Sequence, residues 1–177
     1  MFSPKREIMF MKNNPIAFKS RMKELFFDYL VILLYLALLF VVMMVAYHLF
    51  FKGIPKMNEL QAQVIALLTS VIPIILLFAY LDYSKDGSIG KRKAGLKLVY
   101  RDKSFQASLI RNVIKFLPWQ ISHMSTIHGI YTDFDAWAMG LFFVSIGFAV
   151  LLLLMGLMRN DKRHLGDLLA HTQVQKQ

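Results

Sequence analysis

Arg21 and Asp28 stand seven residues apart, two helical turns, so on a helix they share one face and can form an ion pair. Asp28 lies within a long apolar run, RMKELFFDYLVILLYLALLFVVMMVAYHLFF, from Arg21 to Phe51. A carboxylate there must be partnered, hydrated or protonated, because an uncompensated charge costs about 2.5–3.5 kcal/mol at mid-helix and less near the interface. Arg111 and Lys115, four apart, put two cations on one face of a second segment, and Asp167 adds another acid near the end of the chain. Buried-side acids and cations gathered close to one membrane face mark ion or proton pathways by default. The chemistry they allow is alternating protonation and cation binding at Asp28, with an arginine opposing the effect of desolvation. The competing reading is a structural ion-pair network that pins cytoplasmic segments to the helices.

Other candidates carry less. His164, Asp167 and His171 fall at intervals of three and four, metal-ligand spacing on a helix, but Gly166 and a strand pattern after Ala170 weaken that helix, and capping or hydrogen bonding is the ordinary role. His123 and His128, near Asp133 and Asp135, read as a solvated loop before they read as a divalent-ion site. GSIGKR lacks the first glycine of a P-loop, where Lys85 stands, and has Arg92 where Ser or Thr is needed. Phe143 to Gly147 lacks the first glycine of a nucleophile elbow. There is no cysteine, which excludes disulfides, thiolate metal sites and a cysteine nucleophile. No catalytic constellation and no cofactor motif is visible, so the expectation is a protein that is not an enzyme.

The elements that must position these charges are helices of membrane length. Of 177 residues, 56% are apolar, which places the chain with multi-pass membrane proteins. The net charge of +10 would point to nucleic acid in a soluble protein. Here the basic residues flank apolar spans and no aromatic-basic module accompanies them, so they read as anchors facing anionic headgroups, with no nucleic acid as partner. Residues 1–24 read as a cytoplasmic tail and interfacial helix start, with residues 1–13 loosely held and Asn14-Pro15 as a helix start. Residues 25–175 form one membrane domain. Its first span covers 25–51, and the helix leading into it bends near Arg21. The second covers 62–82, with Pro73 at its centre as a packing kink, a hinge or an opened carbonyl, and Asp82, Lys85 and Asp86 marking the exit.

Residues 83–106 are polar, hold seven Lys or Arg and must be in water; alternation over Leu96 to Tyr100 before Asp102-Lys103 predicts a small β-hairpin. Residues 107–124 are either a third span with a cationic stripe or an amphipathic helix in the interface. Basic residues number six before the first span, two in the first link, seven in the central loop, none from 125 to 135 and four in the tail 159–177. Only if 107–124 spans do all three basic regions face the cytoplasm. The reading is therefore an all-α membrane protein: a four-transmembrane-helix bundle with a small cytoplasmic β-hairpin, an outer loop from Ser125 to Asp135, a last span over 136–158, and both termini cytoplasmic. Ala136 and Gly140, then Ser145 and Ala149, are small residues four apart that permit close helix contact, within the bundle or at a homo-oligomer seam through the Gly140 face.

Three separated pieces share one look: Arg21 with Asp28, SIGKRKAGLKLVYRDKSF leading to Arg111-Asn112, and KRHLGDLLAHTQV. Together they resemble the RDD family of prokaryotic membrane proteins, named for one arginine and two aspartates. By motif, Arg21 and Asp28 correspond to the arginine and first aspartate, and Asp167 to the second-aspartate region, with His171 where the family often has glycine. The resemblance implies a bacterial inner-membrane protein and, for some members, cation/proton exchange with protons and monovalent cations as partners. A non-catalytic scaffold or regulator that binds another membrane protein is the alternative.

Overall fold

A computed structural model describes residues 10–177. The first nine residues of the expected tail lie outside the described residues. Among the described residues, three helical stretches are long and apolar enough to cross a membrane: Phe18–Phe51, Glu59–Lys85 and Ala136–Met158. The first is one unbroken helix, α1, continuous through Arg21, and it closes at Lys52 in left-handed backbone. Its start differs from the one expected at Asn14-Pro15. Ala17 is the cap, and Asn14 instead donates its N–H to Asn160 O and its Nδ2 to Val174 O, tying the chain's beginning to its end. Met11 N–H likewise donates to the Gln173 side chain, so the described part of the tail is held rather than loose.

The second stretch is three elements on one axis: α2 (Glu59–Ala66), a π turn (Leu67–Val71) and α3 (Ile72–Lys85). Asn58 and Gln61 close a capping box at its start. Pro73 removes the donor for the carbonyl four residues back, Thr69 O, and the π turn exposes that oxygen to Tyr35 Oη. Pro73 therefore produces the opened carbonyl, and a neighbouring helix satisfies it.

Beyond α3, Asp86 and Gly87 turn the chain back, and Ser88 caps a short helix, α4 (Ile89–Lys93), that lies against α1. Strand β1 (Leu96–Tyr100) follows, with Leu96, Leu98 and Tyr100 buried against Ile16 and Val174. The expected local hairpin is not formed. The chain goes directly into α5 (Phe105–Thr132), and β1 pairs antiparallel with a strand at the far end of the sequence, with Leu98 opposite Val174. The central loop is also drier than its composition implied: Ser88, Gly90 and Lys91 are buried beneath it.

Helix α5 is 28 residues long, about 42 Å at 1.5 Å per residue. It takes in most of the segment read as an outer loop, leaving only Asp133 to Asp135 between it and α6 (Ala136–Met158). It packs along α6 and α3; Ser125 Oγ donates to Ala138 O, and Ser145 Oγ to Pro118 O. Ser145 and Ala138 thus serve packing within the chain, whereas a Cβ at Gly140 or Gly147 would meet nothing within 4 Å. The chain closes with α7 (Leu165–Leu169), capped by His164, and β2 (Thr172–Lys176). The start of α1, the end of α3, the start of α5 and the segment after α6 all meet at one end of the bundle.

Candidate functional site

Four carboxylates and four cations gather at that end: Glu24, Asp28, Asp82 and Asp167 with Arg21, Lys91 and Arg111, all buried, and Lys115, half-buried. Asp82 is at the centre. It accepts from Lys91 Nζ at 3.0 Å, Arg111 Nη1 at 2.9 Å and Asn112 Nδ2 at 3.0 Å. Arg111 also donates from Nε to Asp167 at 2.6 Å, so one guanidinium bridges α3 to α7. Asp167 in turn accepts from Thr172 Oγ1 at 2.9 Å, which fixes the start of β2. Charges withdrawn from water this completely are tolerated only when opposite charge and further hydrogen bonds replace the lost hydration.

Asp28 is held differently. It accepts from Ser88 Oγ at 2.9 Å, the Gly90 N–H at 2.9 Å and Lys115 Nζ at 3.1 Å. The expected Arg21–Asp28 pair is not made. Arg21 donates to Glu24 at 2.9 Å and to Lys162 O at 2.9 Å, because Glu24 is three residues along and reaches the guanidinium first. Arg111 and Lys115 do share a face, as their spacing required, but each serves a different acid. Lys115 Nζ also lies 4.7 Å from the centre of the Phe78 ring and 5.2 Å from that of Phe116, two aromatic faces that attract a cation.

The groups outside the helical spans are perturbed in ways that follow from this packing. Burial, and then the charge of Arg111, hold Lys91 below the ordinary lysine value, while Asp82 opposes them. Burial would raise Asp167, but the adjacent Arg111 guanidinium outweighs it and keeps the carboxyl well below its usual range. His164 is pushed down to about 4, chiefly by burial and with Arg111 contributing. Its tautomer follows from its neighbours. The Gly166 N–H donates to Nδ1 at 3.0 Å, so the proton of the neutral ring is on Nε2, which faces Asp167 Oδ2 at 3.2 Å. His171, the third residue of that spacing, sits exposed in a left-handed turn instead.

Glu24, Asp82, Lys91 and His164 belong to the network although the sequence reading gave them no such role. Asp82 stood where a helix leaves the membrane and read as a solvent-facing exit; α4 folds back over it. Arg21, Glu24 and Asp28 at intervals of three and four were the signal for Glu24. At the other end of the bundle, His128 lies between Glu59 (2.8 Å) and Asp135 (3.4 Å), joining the start of α2 to the start of α6.

A cavity of about 540 Å³ opens beside the network, between α1, α5 and α6. Arg21, Glu24, Arg111, Lys115 and His164 line one end, and the rest is largely apolar, with Leu25, Trp119, Leu152 and Leu153 among its walls.

Compared with known proteins, the chain matches the sequence model of the RDD family over residues 18–171. No curated protein and no solved structure matches it.

Proposed function

The chain belongs to the RDD family, and from that membership we propose an integral membrane carrier of small ions that exchanges a cation for a proton at Asp28. The observation that carries the reading is the Asp28–Lys115 pair. Lys115 is the most exposed ionised side chain of the network, 19% against 0–2% for the Arg111–Asp82–Asp167 core. It also faces the Phe78 and Phe116 rings, which can keep it when it leaves the carboxylate. An incoming cation or proton then takes the place of Lys115 at Asp28, while the sealed core holds the helices in register.

The same reading has four crossings, α5 being the fourth, with both chain ends on the cytoplasmic side of a bacterial inner membrane. Support comes from α5 running from the ion network to His128 beside Glu59, and from the basic residues gathered at the network's end. Cysteine labelling of Thr126 and Lys176 from either side tests it. Labelling of Thr126 from the cytoplasm sinks the four-span arrangement. For the carrier itself, purified protein in vesicles should dissipate an imposed proton or sodium gradient, and Asp28→Asn should stop this. Wild-type vesicles as tight as empty ones would refute it.

One observation favours a second reading. Four acids against four cations leave the network neutral, as suits a fixed scaffold. A scaffold or regulator would offer another membrane protein the outward Gly140 and Gly147 face. It predicts no flux and a copurifying partner lost on Gly140→Leu.

A further inference from the structure

The cavity beside the network has a charge and a shape that the carrier reading does not use. Its lining carries three cations, Arg21, Arg111 and Lys115, and one carboxylate, Glu24, while the acids that balance Arg111 and Lys115, Asp82, Asp167 and Asp28, stand behind them and do not line it. His164 adds no charge near pH 7, since burial holds it down to about 4. The cationic donors are not all engaged. Among the described residues Arg21 Nε–H has no acceptor, and Arg21 is itself buried. Arg111 Nη2 lies 3.2 Å from His164 Nε2, but that nitrogen already carries the ring proton, so it cannot accept. Lys115 Nζ has three protons and gives one to Asp28. Buried cationic donors short of acceptors cost free energy until an anion meets them.

The opposite walls are apolar and face sideways. Helix α6 packs on α5, and α1 on α4 and the π turn, so α1 and α6 leave a cleft between them. Its rims are Leu25 on α1 and Leu153 on α6, both exposed apolar side chains on helices long and apolar enough to cross a membrane. A water-soluble anion has no use for such walls, whereas an alkyl chain buries its surface there at roughly 25 cal/mol per Å². The volume is within the range of ordinary ligand sites, about 300–1,000 Å³.

We propose that this cavity binds an anionic amphiphile, entering between α1 and α6, with its carboxylate or phosphate head at Arg21, Arg111 and Lys115 and its chain along the leucines of α6. The proposal goes beyond the carrier reading and does not need it. A fatty acid and an anionic phospholipid share this chemistry, and the experiment separates them.

The probe is Trp119, which lines the cavity; Trp137, the other tryptophan, is exposed near the start of α6 and is replaced by Phe. The full chain in phosphatidylcholine vesicles is titrated with brominated phosphatidylglycerol, brominated fatty acid or brominated phosphatidylcholine, and Trp119 fluorescence is followed. At least one anionic probe should reach half-quenching at about a tenfold lower mole fraction than the zwitterionic one, a difference of about 1.4 kcal/mol. Whichever anionic probe is the stronger identifies the source. Gly156→Leu fills the cavity from α6 without touching the ion pairs, since a Cβ there meets nothing within 4 Å. It should bring the anionic and zwitterionic probes to parity. Parity in the wild type overturns the proposal, as does a preference that survives Gly156→Leu unchanged. Asp28→Asn, which stops flux if the carrier reading is right, releases Lys115 Nζ for the head and should keep or sharpen the quenching preference, so the two ideas fail separately.

Discussion

Tyr35 Oη donates to Thr69 O at 2.5 Å, across the gap between α1 and the π turn. The bond exists because Pro73 has no N–H to give the carbonyl four residues before it. Tyr35→Phe should therefore lower the thermal midpoint in detergent by the equivalent of about 1–3 kcal/mol, the penalty for a buried acceptor left alone. In a Pro73→Ala background the restored amide can serve Thr69 O, and the same change should have little effect. Equal losses in the two backgrounds would show that the proline is not the reason for the bond.

Gly90 is where α4 touches α1. A Cβ there would overlap Glu24 O and stand 2.5 Å from Asp28 Oδ1, and the Gly90 N–H is one of the donors to that carboxylate. Gly90→Ala should cost about 1–3 kcal/mol or more, as overpacking does, and should loosen the central loop. At Gly95 a Cβ meets nothing within 4 Å, but φ is +69°. Gly95→Ala should cost only the left-handed backbone penalty, about 1–2 kcal/mol. Limited proteolysis between residues 86 and 104 reads the difference; faster cleavage in the Gly95 variant than in the Gly90 variant would contradict it.

Asp82 and Asp86 are four residues apart and opposite in circumstance. Asp82 is fully buried with Lys91 and Arg111, while Asp86 meets Lys103 in water. Asp82→Asn leaves two buried cations short of charge and should destabilise by about 3–5 kcal/mol. Asp86→Asn should cost under about 1 kcal/mol. Similar midpoints for the two variants would mean the buried network contributes little to holding the bundle.

His164 makes stability depend on pH. Its value falls from 6.5 to about 4 on folding, so between those limits the unfolded chain binds a proton that the folded chain does not. Stability is then full above about pH 6.5 and declines as pH falls toward about 4. The total is on the order of 3 kcal/mol at 1.36 kcal/mol per unit. His164→Gln should flatten the slope of midpoint against pH in that window. An unchanged slope would place the titration elsewhere.

The three most apolar helices were legible because lipid demands long apolar runs, and Arg111 with Lys115 were legible because helical spacing alone sets their face. Partners were harder to read, since partnership depends on which segments fold back. Asp82 and Lys91 look like interfacial charges until α4 lies over them. The alternation from Leu96 to Tyr100 announced a strand, and Thr172 with Val174 announced another, but nothing local says that they pair across more than 70 residues. Asp28 was correctly expected to need a cation. The cation is Lys115 rather than Arg21, since Glu24 lies between Arg21 and Asp28 on the same face.

Arg111 completes its bonds with one acid made 29 residues before it and another made 56 residues after it. On a ribosome, then, Glu24, Asp28 and Asp82 are made before Arg111, and Arg111 before Asp167. The network can close fully only after Asp167 has been made, so the charged ends of the first helices are hydrated first and sealed last.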